Sequence, residues 1–308
     1  MPESGSIQRH PFTSLILLLL LVLAGAVVFT ILALIVAGSI YGIAPLFDVV
    51  NGKQTSDLNF LKVVQIFSSF GMFVVAALVF ARIESKHWSN FLNLDSKFPL
   101  ILLILTFALM FSATPVLEWS VEFNKGMKLP DFLKGLEEWM QLKENQMAQL
   151  TQQLLVMKGL PDLLVNMLMF AVIPAVGEEL IFRGCLQKIF VQWFGNIHWG
   201  IWITAIVFSA IHIQFYGFLP RMLLGALFGY LLIWSKSLWL PILAHFINNA
   251  TAVITAYVYQ QKGISLEKLD QPELIPWPVY LLSFLATSIL LYTIYQKSTK
   301  VNTVQISK

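Results

Sequence analysis

The sequence has few charged residues and a single cysteine. Charged residues make up 12% of the 308 residues and hydrophobic residues 57%, whereas soluble domains carry about 25% charged residues. Cys185 has no second cysteine with which to form an internal disulfide. The net charge of +3 is small, and there is no run of lysines or arginines, so nucleic acid is not expected as a partner. These absences favour a protein of the lipid bilayer.

Long apolar segments recur along the chain, and a membrane-spanning helix needs about 20 such residues. Eight segments approach that requirement, at 13–42, 59–82, 98–118, 162–190, 197–213, 217–234, 237–258 and 276–296. The first is longer than the roughly 7–15 apolar residues of a cleavable signal peptide, so we expect it to be retained as an anchor. The sequence therefore predicts an all-α, polytopic membrane bundle of about eight transmembrane helices.

The loop lysines and arginines predict how this bundle is oriented. Ten of them fall on the N-terminal side of the bundle and four on the other side. The ten are Arg9, Arg82, Lys86, Lys97, Arg183, Lys188, Lys236, Lys297, Lys300 and Lys308, and the four are Lys53, Arg221, Lys262 and Lys268. Because cytoplasmic loops carry the excess of positive charge, we expect both termini in the cytoplasm. A separate expectation is that the bilayer is the bacterial inner membrane.

Residues 119–160 form the one substantial polar stretch. Apolar residues recur there close to helical spacing, with charges between them: Leu133, Leu136, Met140, Met147, Leu150 and Leu154. This pattern predicts an amphipathic helix that lies on the membrane surface or packs on the bundle, and a gate for substrate is the alternative. We divide one integral membrane domain into 1–160, with three spans and this outer segment, and 161–308, a core with polar residues inside its spans.

Three ionisable residues in the core stand close together. Placing such a group in a spanning helix costs roughly 2.5–3.5 kcal/mol, so it usually faces a partner or a cavity. Glu179 and Arg183 are four positions apart and can form an ion pair on one helix face. Glu178 is rotated by about 100° from Glu179 and is left without this partner. An unpaired carboxylate at this depth needs water, a metal ion or a proton.

Two histidines and an amide on later spans add to this set. His212 ends the segment FSAIH, and HFINN places His245 and Asn249 on one face while Asn248 is expected to turn away. Glu178, His212 and His245 form a familiar catalytic zinc set, with a fourth position open for water. The same groups could also act without metal. Glu178 and His212 would then activate water, and His245 and Asn249 would stabilise the oxyanion.

The segments EELIFR, FSAIH and HFINN, in this order and each within a hydrophobic segment, resemble the three motifs of the CPBP family. This group of intramembrane proteases includes the type II CAAX prenyl endopeptidases and bacteriocin-processing or self-immunity proteins. The resemblance covers about 160–255 and implies an eight-helix membrane hydrolase. It implies water activation by Glu178, support from Glu179 and Arg183, and a site completed by His212, His245 and Asn249. The family is often labelled metalloprotease, although this sequence lacks the HExxH pattern of soluble zinc proteases.

The expected function is hydrolysis of a peptide bond in a membrane-associated protein or peptide. One alternative is a proton-coupled transporter, which also needs buried glutamate and histidine, although the clustered ionisable groups all follow residue 177. Another is a non-catalytic immunity or scaffold protein that keeps the motifs. Cys185 is a possible nucleophile, but small apolar packing is the expected role. Arg221 is expected to anchor its helix at the membrane interface or to contact a lipid headgroup.

Overall fold

The computed structural model describes residues 9–51, 57–96, 98–266 and 275–306. Among the lysines counted for orientation, Lys53, Lys97, Lys268 and Lys308 lie outside these residues, as does the side chain of Lys300. The described part of the chain contains eleven helices and no strand. In chain order these are α1 (Pro11–Tyr41), α2 (Ile43–Val50), α3 (Leu58–Glu84), α4 (Trp88–Phe91), α5 (Leu100–Lys125), α6 (Lys134–Leu154), α7 (Leu160–Phe194), α8 (Ile197–Ala210), α9 (Phe218–Ser235), α10 (Trp239–Gln261) and α11 (Trp277–Ile306).

The all-α, polytopic architecture predicted from the apolar segments is confirmed. Eight of the helices, α1, α3, α5 and α7 to α11, coincide with the eight predicted spans. Within the described residues, six of these are long and apolar enough to cross a membrane, namely α1, α3, α5, α7, α9 and α11. The remaining two are α8, a shorter apolar helix of 14 residues, and α10, which carries the polar HFINN segment.

The turn between α7 and α8 is short because its residues suit the ends of both helices. Gly195 ends α7 with a φ of 62°, a left-handed conformation that glycine adopts without strain. Asn196 then caps α8, since its side chain accepts hydrogen bonds from the backbone N–H groups of His198 and Trp199. The two helices are therefore joined as an antiparallel pair, which returns the chain toward the middle of α7.

Helix α7 lies between two apolar clusters. One cluster joins α7 to α1 and α3 and includes Phe80, Cys185 and Phe190. The other joins α5, α9, α10 and α11 and includes Phe228 and Ile294. Because α10 contacts both α7 and α9, the polar faces of these helices are enclosed between the two clusters. Cys185 is fully buried in the first cluster, in agreement with the expected packing role.

Candidate active site

Helix α7 is irregular on both sides of its two glutamates. Turns of π-helix at Leu168–Val172 and Leu180–Leu186 flank the α-helical segment Ile173–Glu179, and such turns are frequent at functional sites. Pro174 has no N–H to donate to the carbonyl oxygen of Phe170, four residues earlier. Asn249 on α10 donates to this oxygen instead, with a distance of 3.1 Å from Nδ2. Asn249 thus supports the part of α7 that carries the glutamates.

Glu179 and Arg183 form the expected ion pair. Arg183 Nη1 lies 2.8 Å from Glu179 Oε1, and both side chains are fully buried. Arg183 Nη2 also donates to the carbonyl oxygen of Gly225 on α9, at 3.0 Å. The guanidinium carbon lies 4.6 Å from the ring centre of Phe208 and 5.3 Å from that of Phe228. Such contacts compensate for the removal of the charges from water, so the pair joins α7, α8 and α9 at one point.

Glu179 also orients His245. The His245 Nδ1 atom lies 2.9 Å from Glu179 Oε1. Because an ionised carboxylate only accepts hydrogen bonds, Nδ1 carries the hydrogen of this contact. The other ring nitrogen, Nε2, lies 3.8 Å from Glu178 Oε2. The ring stacks on Phe228, with the ring centres 5.3 Å apart, which further limits its rotation.

Glu178 lines a cavity of about 580 Å³ that also contains the other predicted catalytic residues, His212, His245 and Asn249. The Glu178 side chain keeps 12% of its surface accessible, whereas that of Glu179 keeps none. His212 lies just after the end of α8, where its Nδ1 donates to the carbonyl oxygen of Phe208 at 2.8 Å and leaves Nε2 for other contacts. The structure therefore brings together all four residues that the sequence predicted to be catalytic.

A second cavity, of about 550 Å³, adjoins the first. Its walls are largely apolar side chains of α1, α3, α7 and α8. Glu178, His212, Phe170 and Pro174 line both cavities. Glu178 and His212 thus lie where a polar space meets an apolar one, an arrangement that suits a polar reaction on a largely apolar ligand.

One prediction about a single residue is wrong. Asn248 does not turn away, because the cavity is wide enough to be lined by two successive residues of α10, and Asn248 Nδ2 donates to Asn249 Oδ1 at 3.1 Å. Arg221, in the first turn of α9, borders the cavity, and its role as an anchor at the membrane interface stays a prediction. Arg183 and Arg221 are therefore site residues rather than loop residues. If both are left out of the count of loop lysines and arginines, the cytoplasmic side and the outer side each lose one. The predicted orientation is therefore unchanged.

Sequence reasoning also missed Gln214, which lines the cavity in the connection between α8 and α9. Arg221 Nη2 donates to Gln214 Oε1 at 2.6 Å. The signal available for Arg221 was its place as the one charged residue of an otherwise apolar helix. Gln214 lies in a loop close to His212, and nothing in its spacing indicated that it faces inward.

The zinc set predicted from Glu178, His212 and His245 stays a prediction. Within the ranges that the structure describes, no three His, Cys, Asp or Glu side chains are grouped closely enough to hold a metal ion. His245 directs Nδ1 to Glu179 and His212 directs Nδ1 to the Phe208 carbonyl. Both contacts leave Nε2 available, as in histidines that bind a metal ion. The three side chains line the same cavity.

The outer segment contains the predicted helix, α6, which packs on the bundle beside the cavity. Its residues Gln141 and Glu144 bond to Tyr216 in the connection between α8 and α9. The Gln141 Nε2 atom lies 2.7 Å from the Tyr216 hydroxyl, and the Tyr216 N–H donates to Glu144 Oε2 at 3.2 Å. At the C-terminal end of α6, Thr151 and Leu155 line the cavity itself. The gate remains a prediction.

Fold and site together define a polytopic helical membrane protein whose cavity combines a carboxylate with two histidines. Residues 160–251 match the model of a protein family described as type II CAAX prenyl endopeptidase Rce1-like. The match spans all three motifs, so the resemblance to the CPBP family is confirmed for this segment. The chain is also similar to the uncharacterised protein YpbD of Bacillus subtilis (strain 168), with 31% identity over 80 residues. These residues are 25% of this chain and 38% of YpbD. No solved structure matches the chain.

Proposed function

We propose that this protein is an intramembrane endopeptidase that hydrolyses a peptide bond in a membrane-associated protein or peptide. One observation carries the proposal: Glu178 shares a cavity with His212 and His245, while its neighbour Glu179 is held in a buried ion pair. The first carboxylate is available for chemistry and the second is not. The family matched by residues 160–251 supports protease chemistry in the membrane.

In this proposal Glu178 is the general base. It takes a proton from a bound water molecule, and the water oxygen attacks the carbonyl carbon of the substrate. The tetrahedral intermediate carries negative charge on the former carbonyl oxygen until the bond from carbon to nitrogen breaks. Glu178 then returns the proton to the leaving nitrogen. The leaving amine and the new carboxyl group account for all atoms of the water molecule.

The histidines and the amides have separate roles in this scheme. His212 Nδ1 is bound to the Phe208 carbonyl, so its Nε2 is the nitrogen that can accept a hydrogen bond from the attacking water. His245 is held by Glu179 with Nε2 on the side of Glu178, and it donates to the oxyanion when the ring is protonated. Asn249 completes the oxyanion site, as the resemblance implies, and supports the glutamate-bearing segment through its bond to Phe170.

We propose this route without a metal ion because the described side chains do not form a ligand set. The substrate segment would place apolar side chains in the adjoining apolar cavity and its cleaved bond beside Glu178. We further propose that the protein lies in a bacterial inner membrane with both termini in the cytoplasm. In that orientation α6 and the cavity beside it lie toward the outer side of the membrane.

The test is cleavage of a library of membrane peptides by the purified protein in lipid nanodiscs, with products identified by mass spectrometry. We expect Glu178→Gln to lower the cleavage rate by about 1,000-fold, since general acid and base catalysis contributes factors of this order. Its thermal unfolding should stay close to that of the wild type. Glu138→Gln, which makes the same change at an exposed position of α6, is the matched control and should cleave normally.

Equal cleavage by Glu178→Gln and the wild type would disprove the assigned base. Loss of cleavage in Cys185→Ala, with Glu178→Gln unaffected, would favour the thiol instead, although Cys185 is fully buried. A third outcome is that no preparation cleaves any peptide, while vesicles with the wild type, but not with Glu178→Gln, transport protons. That result would favour the transporter.

A further inference from the structure

Arg221 is the one cationic side chain in the cavity that the proposed hydrolysis does not use. It lies in the first turn of α9 and lines the same cavity as Glu178 and His245. Helix α9 is otherwise without charge. A guanidinium inside a membrane protein is costly unless it has a partner, so its position needs an explanation.

The guanidinium of Arg221 is held at one nitrogen and left open at another. Its Nη2 donates to Gln214 Oε1 at 2.6 Å, which fixes the direction of the group. Its Nη1 is buried and has no hydrogen-bond partner among the described residues. Buried polar atoms are nearly always hydrogen-bonded, so an unpartnered charged donor beside a cavity indicates a ligand that supplies the acceptor.

Among the described residues, neither carboxylate near Arg221 forms an ion pair with it. Glu178 and Glu144 are close enough for an electrostatic interaction with the guanidinium, but the ion pair within reach of Glu178 is the one with His245, and Glu144 accepts from the Tyr216 N–H. By contrast, the other arginine of the site, Arg183, has both terminal nitrogens bonded, Nη1 to Glu179 and Nη2 to the Gly225 carbonyl, and among the described residues only its Nε lacks a partner. Arg221 is therefore the available cation, and its planar group suits a carboxylate held through two hydrogen bonds.

We propose that Arg221 binds a carboxylate of the peptide substrate and thereby sets which bond lies beside Glu178. The carboxylate is either the C-terminus of the peptide or an acidic side chain near the cleaved bond. Arg221 acts in this scheme as a specificity residue and takes no part in the proton transfers. The inference rests on the proposed function, because it treats the occupant of the cavity as a peptide.

The test measures binding in a protein that cannot cleave. Three versions of one acetylated alanine-leucine peptide are compared: one with a free C-terminal carboxylate, one with a C-terminal amide, and one with the amide and a single glutamate. Their dissociation constants are measured with Glu178→Gln protein in nanodiscs. We expect the free carboxylate to bind about tenfold more tightly than the amide, as is typical for a hydrogen bond to a charged group. Tight binding of the glutamate peptide would identify a side chain as a second source of the carboxylate.

The preference should depend on Arg221. In Glu178→Gln/Arg221→Gln protein the three peptides should bind equally, and Arg221→Lys should keep only part of the preference, since lysine retains the charge without the planar fork. Arg82→Gln is the matched control because Arg82 is exposed on α3, and it should keep the full preference. If Arg221→Gln does not fold, the comparison of peptides on Glu178→Gln protein alone still decides whether a carboxylate is recognised.

Equal binding of all three peptides to Glu178→Gln protein would overturn the proposal, and so would a preference that persists without Arg221. Uniform loss of turnover rate on all peptides in Arg221→Gln, with unchanged KM, would also overturn it by assigning Arg221 to the transition state. The binding results, unlike the turnover result, are independent of the hydrolysis itself. A wild-type protein that binds the carboxylate peptide more tightly but cleaves no peptide would contradict the proposed function. The inference that Arg221 binds a carboxylate would not be affected.

Discussion

Glu178 and Glu179 are neighbours in the sequence, yet their side chains lie in two regions of opposite character. On one side of α7, Glu179 is fully buried and contacts Arg183 and His245 at 2.8 and 2.9 Å. About 100° further around the helix, Glu178 lines a cavity, and its Oε2 lies 3.8 Å from His245 Nε2. We call these the buried pair and the cavity. The comparison indicates that the buried pair fixes the positions of the site residues, whereas the cavity offers space for water and substrate.

The largest effect on stability should come from breaking the buried pair. Arg183→Gln leaves the Glu179 carboxylate buried without its charged partner, and loss of one partner of a buried pair costs about 3–5 kcal/mol. The free energy of unfolding should fall by this amount in a denaturant titration. Cleavage should fall with it, because Glu179 no longer holds His245 in one orientation.

The double variant Glu179→Gln/Arg183→Gln is the control for this effect. It removes both charges, so its unfolding free energy should lie closer to that of the wild type than that of Arg183→Gln does. If Arg183→Gln were as stable as the wild type, the buried pair would not be what stabilises this part of the fold. The buried pair and the cavity would then not differ in the way proposed.

A change inside the cavity should lower the cleavage rate strongly and the free energy of unfolding only slightly. His212→Gln should lower the cleavage rate by about 100-fold, in the range of general acid and base catalysis. It should alter the unfolding free energy by about 1 kcal/mol or less, because it removes one hydrogen bond to the Phe208 carbonyl. Peptide cleavage and unfolding are measured on the same preparation.

His198→Gln is the matched control for His212→Gln. The His198 side chain also makes a single hydrogen bond, between Nδ1 and the Tyr230 hydroxyl at 2.8 Å, but it lies at the start of α8 and does not line the cavity. Its cleavage rate should be that of the wild type. Equal losses in both variants would mean that His212 acts through the fold and not in the cavity.

Metal removal should have the smallest effect. Dialysis of the active protein against a strong chelator should leave the cleavage rate unchanged, because the described side chains do not converge on a metal position. Metal content is measured on the same samples by mass spectrometry. Loss of cleavage that added zinc restores would instead show that Glu178, His212 and His245 come together when the ion binds.

Much of the fold could be predicted because its signals are local. Apolar runs of about 20 residues located the eight helices α1, α3, α5 and α7 to α11, and the spacing of four positions between Glu179 and Arg183 indicated their ion pair. The order of the three motifs pointed to the family that residues 160–251 match. The bond from Glu179 to His245 could not be predicted, since these residues are 66 positions apart and meet only through the packing of α10 on α7.

The missed cavity residues have the same explanation. Arg221 was expected to be an interfacial anchor because it begins an apolar helix, and Asn248 was expected to turn away from the face that His245 and Asn249 share. Both line the cavity in the structure. Helical periodicity states which residues share a face, but not how wide a space that face borders.

The sequence by itself determined the class of the protein, the positions of its helices and the separate directions of two adjacent glutamates. That information is local, because hydropathy and a turn of 3.6 residues depend on neighbours along the chain. Only the tertiary structure decided which glutamate is enclosed and which faces the cavity. Phe208, Gly225 and His245 close over Glu179 and Arg183 from three other helices, and Glu178 is left beside open space.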